Sequence, residues 1–146
     1  MNLTTRSFLA FWIERANAAL MLQTEKIAQE KEQITTRQWW IIADMFAERP
    51  ETAAELCRIA DIDKGLLSRN LKVLIEKGLV ETRDDPKDQR RQIISLTERG
   101  EALHNRLLPV MQERNQSIIR DFTDKEIEAA VDVLRAVEHT ARRTRF

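Results

Sequence analysis

Only one pair of convincing β segments interrupts this chain. "LVETR" and "RQIISL" alternate or are β-branched, and "DDPKDQ" between them holds the Asp and Pro that favour a turn. The spacing predicts a single hairpin, with the rest of the chain left to helix and loop. Composition agrees: 42% hydrophobic and 33% charged residues, three glycines, three prolines and no tyrosine make the balance of a helix-rich soluble protein. At 146 residues the chain is long enough for one domain with a core.

Helix starts are marked by threonines ahead of periodic apolar runs. Thr35 with Gln38, Thr52 with Glu55, and Thr123 with Glu126 each fit a capping box, in which the hydroxyl takes one N–H and the later side chain reaches back. Thr97 has Gly100 at the third position and is read as an N-cap alone. Residues 7 to 31 form a long first helix with Phe8, Trp12, Ala16, Leu20 and Ile27 near one face; its second half, "QTEKIAQEKEQ", is mostly polar. A second helix, "RQWWIIADMFAE", is apolar on most of its surface, as a central helix would be, and Pro50 closes it.

"TAAELCRIADIDKGLLSRNLKVLIEKGLV" predicts a short helix over about 53–60 and a break at Asp61 and Ile62. A helix over about 64–77 follows, with Asp63 as its cap and Gly78 as a left-handed stop. Two helices joined by so short a turn form a helix-turn-helix. Leu56, Ile59, Ile62, Leu67, Leu71 and Leu74 face the core, leaving Lys64, Ser68, Arg69 and Lys72 on the other side of the second helix. With the hairpin directly behind it, the expected fold is mainly α (α+β): a winged helix-turn-helix with a two-stranded β wing. Further on, Leu103, Leu107, Val110, Ile118 and Phe122 make one stripe, on a helix expected to bend at Pro109. Ile127, Ala130, Val131, Leu134 and Val137 make another. A small winged-helix core cannot cover these stripes and a long N-terminal helix, so the terminal helices are expected to interleave in a twofold homodimer.

Lys plus Arg and Asp plus Glu each total 24, which excludes a uniformly basic nucleic-acid wrapper and confines any DNA site to a local patch. Two patches qualify. Lys64, Ser68, Arg69 and Lys72 recur at helical spacing, so a helix laid in the major groove presents them together, Arg69 to guanine and Lys72 to phosphate. In the wing, acids and bases interleave over 83–91. Arg90 is expected in the minor groove, with Lys87 and Arg91 on the backbone, Arg83 bracing the hairpin base and Asp88 orienting the tip.

Other chemistries find no footing. No catalytic triad, phosphate loop or paired-carboxylate motif is present, so neither catalytic residues nor a cofactor are expected. Cys57 is the sole cysteine, which rules out an internal disulfide and is read as a buried, inert thiol. His104 and His139 lack clustered ligand partners, so no metal is expected. Glu14 and Arg15 interrupt the apolar N-terminal stretch, against a signal peptide or membrane span, and a cytoplasmic location is expected.

"SRNLKVLIEKGLVETR" and "DPKDQRRQIISLTERG", the second with its Asp-x-Arg tip and Leu-Thr-x-x-Gly exit, resemble the recognition helix and wing of the MarR family of bacterial transcription regulators. The resemblance covers about 34–100 in motif detail. It implies a single domain over 1–146, with 1–33 and 101–146 as dimerisation helices. It further implies homodimers on double-stranded, pseudopalindromic operators, mostly as repressors, many released by a small aromatic acid or an oxidant. By position it places Ser68 and Arg69 on the recognition face, Arg90 at the wing tip and Asp88 beside it as the acid that holds the arginine. The chain departs from the common pattern at Gly65 and Leu66, so the bases read are not carried over. Family members that sense peroxide carry an N-terminal cysteine, which this chain lacks. Effectors in the family sit between the dimerisation helices and the DNA-binding lobe, where Trp12, Arg15, Trp39 and Trp40 could supply an aromatic wall and a guanidinium for a carboxylate. Trp39 and Trp40 point to different sides of their helix, so at most one lines a given pocket. The alternative is a winged-helix protein-interaction module without sequence-specific DNA binding, since fold alone does not set function.

Overall fold

The computed structural model describes residues 5–143. They fall into two compact units that divide between Leu108 and Pro109.

In the first unit a 3-10 turn, Thr5–Ser7, precedes α1, Leu9–Glu32; α2, Thr36–Glu48, α3, Ala53–Ala60, and α4, Lys64–Glu76, follow. Strands β1, Val80–Asp85, and β2, Asp88–Leu96, pair antiparallel, and α5, Glu98–Ile119, starts directly after them. The starts of α2, α3 and α4 have the expected chemistry, whereas α1 begins after Phe8 with no side-chain cap. Thr35 and Thr52 form complete capping boxes with Gln38 and Glu55, and the Asp63 carboxylate accepts the Leu66 N–H. The stops are less orthodox: α1, α2 and α3 end on left-handed Gln33, Arg49 and Asp61 rather than glycine. In α2 this stop precedes Pro50, with the Arg49 N–H returned to the Met45 carbonyl.

α2 is the central helix of this unit, packing on α1, α3, α4 and β2. It buries Trp39, Ile41, Ile42 and Met45 against a core that includes Leu56, Leu67, Leu74, Val80 and Ile94. Its surface is not apolar all round as a packed face, because Trp40 on the opposite side is 46% exposed. Leu67, Leu71 and Leu74 face inward along α4 as expected. Ile59 does not: α3 buries only Leu56, and three residues on is about 60° round the helix, which places Ile59 at the exposed rim. Ile62 is half-buried, and so is Cys57, which was expected to be sealed.

The hairpin is longer than its sequence suggests. Both strands run into the stretch expected to be loop and leave only Pro86 and Lys87 as the turn. Pairing is regular from Val80 opposite Leu96 to Asp84 opposite Gln92, then jumps to Asp85 opposite Asp88. One step on β1 therefore answers four on β2, so residues 89 to 91 bulge out of register at the tip. The loop before α3 touches the sheet through one main-chain bond, the Ile94 N–H donating to the Glu51 carbonyl, 2.9 Å.

A tight junction closes the hairpin onto α5. Thr97 donates its N–H to the Leu79 carbonyl, 3.1 Å, and its hydroxyl to the Gly78 carbonyl, 2.7 Å, while that hydroxyl accepts the Gly100 N–H, 3.1 Å. This is the physical content of the Leu-Thr-x-x-Gly exit. The threonine caps a helix while tying together the two ends of the hairpin, and the glycine leaves room for the Leu79 carbonyl. α5 contributes Leu103 and Leu107 to the core, and its His104 ring stacks between Trp39 and Phe46.

The second unit comprises the end of α5 and α6, Asp124–Arg143. The α5 helix is continuous through Pro109. Thr123 and Glu126 make the expected reciprocal bonds at the start of α6. No α6 residue is buried, and Val131, Val133 and Leu134 are all exposed.

Candidate nucleic-acid interface

α4 presents a mostly polar face, with Ile75 exposed near its end. Burying Leu67, Leu71 and Leu74 fixes the helix's rotation, so Lys64, Ser68, Arg69 and Lys72 are left exposed on it. A Cβ at Gly65 would meet the Asp63 carboxylate at 3.2 Å and lie in ordinary contact, 3.6 Å, with the Arg69 Nη1. Lys72 approaches Glu76 at 4.0 Å, one turn on, an exposed pair of little strength.

The wing tip divides its cations between two duties. Arg90 is exposed, and among the described residues its guanidinium has no acidic partner. Lys87 is exposed in the turn, its N–H donated to the Asp85 carboxylate, 2.8 Å. Arg91 is different, reaching Glu51 at 3.0 Å and Asp85 at 3.6 Å. Two carboxylates thus hold the Arg91 guanidinium against the protein, while its side chain stays 39% exposed. Asp88 meets Arg90 at the main chain. Its carboxylate accepts the backbone N–H of Arg90, 3.0 Å, so it shapes the main chain of the bulge instead of gripping the guanidinium. Arg83 lies within β1 opposite Ile93 and lines a cleft of about 190 Å³ with Arg49 and Glu51.

The loop beneath the wing is electrostatically set. Glu55 accepts the N–H groups of Glu51, 2.8 Å, and Thr52, 3.3 Å. The Glu51 N–H above all holds the Glu55 carboxyl below its ordinary range; burial opposes it, and Thr52, Arg91 and Arg58 add smaller lowering effects.

The four residues expected around an effector have separate environments. Trp39 is 1% exposed and its Nε1 is buried without a hydrogen-bond partner among the described residues, whereas Trp40 is largely open. Trp12 is exposed and donates its Nε1–H to the Arg6 carbonyl, 2.9 Å. The Arg15 guanidinium lies over the Phe11 ring at 5.7 Å. Among the described residues no three His, Cys, Asp or Glu side chains gather as a metal site, and no helix is long and apolar enough to cross a membrane.

Residues 34–100 match the model of a winged helix DNA-binding domain. Over 135 residues the chain is 30% identical to the HTH-type transcriptional regulator TcaR of Staphylococcus aureus strain Newman, a MarR-type regulator, covering 90% of this chain and 87% of TcaR. The chain belongs to the MarR family. It is a DNA-binding transcriptional regulator of the MarR type. Solved MarR-type folds superpose closely. A MarR/EmrR family regulator from Acinetobacter sp. ADP1 gives a TM-score of 0.85 at 22% identity over 97% of this chain and 100% of that one. PcaV from Streptomyces coelicolor, solved in complex with its natural ligand, gives 0.82 at 21% over 97% and 99%.

Sequence reasoning missed Glu51 and Asp85. Asp85 carries a faint local signal, an acid immediately before the turn proline, but Glu51 lies forty residues from Arg91 and only the fold joins them.

Proposed function

We propose that this MarR-type protein is a repressor that binds an inverted-repeat operator as a homodimer and releases it on binding a small aromatic acid. The observation that carries the DNA mode is an exposed guanidinium at the wing tip, Arg90, without an acidic partner among the described residues, in the same unit as a polar α4 face bearing Arg69 and Lys72. In this reading α4 enters the major groove, where Arg69 donates a two-pronged bond to guanine. Arg90 enters the adjacent minor groove, whose potential is most negative where it is narrow. Lys64, Lys72 and Lys87 neutralise phosphate, and Ser68 adds a hydroxyl on the same face.

Homodimerisation is supported by apolar side chains that the chain itself leaves open: Phe8, Leu9 and Trp12 on and before α1, and Val131, Val133 and Leu134 on α6. Burying such patches is the main driving force for association. A twofold dimer on B-DNA sets its recognition helices about 34–36 Å apart, hence the inverted repeat.

The effector reading is supported by Trp39, whose buried Nε1–H lacks an acceptor among the described residues that a ligand carboxylate could provide, and by the PcaV complex of similar fold. Trp12, Arg15 and Trp40 are the remaining candidates to line such a site. The test is anisotropy of a labelled duplex from upstream of the gene, titrated across salt and with a panel of aromatic acids. Binding that falls steeply with salt and is released by an acid supports the proposal. Salt-insensitive or absent binding would return the protein-contact alternative.

A further inference from the structure

We infer that Arg91 is a positioning residue that clamps the wing to the loop between α2 and α3, holding the Arg90 tip at one angle. The inference rests on the DNA-binding reading of the wing. Residues 89 to 91 are a three-residue excess on β2, so the strand pairing itself does not fix the tip. Arg91 supplies what the register lacks. One prong, Nη2, donates to Glu51 at 3.0 Å, and the other, Nη1, faces Asp85 at 3.6 Å. The acids sit on different elements, one in the loop before α3 and one at the end of β1.

Both anchors are themselves held. Asp85 is only 7% exposed and takes the Lys87 N–H as well, so it is a hub of the turn and not a freely swinging surface acid. Glu51 accepts the Ile94 N–H on its carbonyl and donates its own N–H to Glu55, which closes the α3 capping box. The wing is thus joined to this loop twice, through main chain at Ile94 and through side chain at Arg91. A single main-chain link leaves a strand free to rotate about it; a second, nearer the tip, does not. Only a planar fork spans two carboxylates in this way, and a lysine ammonium at 91 would serve one.

The test sets signs against each other. Glu51→Ala removes a negative charge beside the interface, so simple attraction to phosphate predicts tighter binding, whereas the clamp predicts weaker binding. Operator affinity is measured by anisotropy over a salt series, with a hydroxyl-radical footprint for each variant. Glu51→Ala and Arg91→Lys are both expected to weaken binding about three- to tenfold, with the salt slope of the unaltered protein. Protection over the outer minor groove should fade while the central major-groove protection by α4 persists. If Glu51→Ala lowers the melting temperature, Glu51→Gln, which keeps the shape, takes its place with the same expectation. Unchanged or tighter binding by the Glu51 variant overturns the clamp. So does full retention by Arg91→Lys together with a salt slope reduced by about one in Arg91→Ala, the signature of a phosphate contact. An unaltered protein that binds no DNA would strike at the DNA-binding reading instead.

Discussion

The Cα of Gly100 lies against the carbonyl oxygen of Leu79, so closely that a methyl group on it would overlap that oxygen and come within 3.2 Å of Leu96 Cδ2. The first of these cannot yield. The carbonyl is main chain already bonded to the Thr97 N–H, and Leu96 ends β2. Gly100→Ala should therefore destabilise the fold by about 1–3 kcal/mol, as overpacking of a closed site does. Urea unfolding measures this. A neutral or stabilising effect, as alanine gives at an open helix position, would show that the junction is looser than described.

The two faces of the DNA reading separate by salt. Arg69→Ala should cost about 1–3 kcal/mol and relax preference at one base pair per half-site. Lys72→Ala should weaken all sequences about equally and lower the salt slope by about one. Competition titrations against singly substituted operators distinguish them, and interchanged behaviour would move the base-reading role from one residue to the other.

Much of this was legible because capping and turn chemistry are local. Thr35, Thr52, Thr97, Thr123 and Asp63 announce five helix starts through a hydroxyl or carboxylate within three residues of its partner. The α4 face was legible for the same reason, its leucines repeating at helical spacing. What escaped depends on register and distance. Strand pairing beyond Asp84 extends through acids and a proline-bounded turn that single-residue preferences assign to loop, and the bulge at 89 to 91 follows from that extension. Asp88 and Arg91 lie in the wing as their sequence positions imply, but their bonding partners were not legible, because sequence shows that an acid is near an arginine and not which atom it bonds. The Trp39, His104 and Phe46 rings join α2 to α5 across about sixty residues of sequence, His104 lying 5.6 Å from Trp39 and 3.8 Å from Phe46 between ring centroids. No local pattern reports it.

Acid should loosen the helix starts together. Glu55, Glu126 and Glu25 are each held below the ordinary glutamate value of 4.5, chiefly by the backbone N–H groups of Glu51, Thr123 and Thr36 respectively. A depressed folded-state value contributes stability that is present above the unfolded value and is lost as pH falls through the folded one. Melting temperature should therefore decline as pH drops below about 4.5, and Glu126→Gln should show a shallower decline. An identical pH profile in that variant would remove Glu126 from the account. Asp44 opposes the trend, since burial first and Glu48 second raise its carboxyl, so its ionisation disfavours the fold as pH rises.

Assembly should depend on the open apolar face of α6. Val131 and Leu134 are 39% and 48% exposed in the chain, and placing glutamate at both would bury two unpaired charges in a dimer. Val131→Glu with Leu134→Glu should sediment as a monomer and lose cooperative operator binding, with helix content retained by circular dichroism. A dimer that survives the pair would place the interface elsewhere.

The central claim, that the wing tip meets DNA, is tested most directly by operator affinity of Arg90→Ala at moderate salt, with thermal melting as the control. Loss of an arginine from a narrow minor groove should cost about 1–3 kcal/mol, roughly five- to more than a hundredfold in affinity, with the melting temperature unchanged. Affinity equal to that of the unaltered protein would contradict the account.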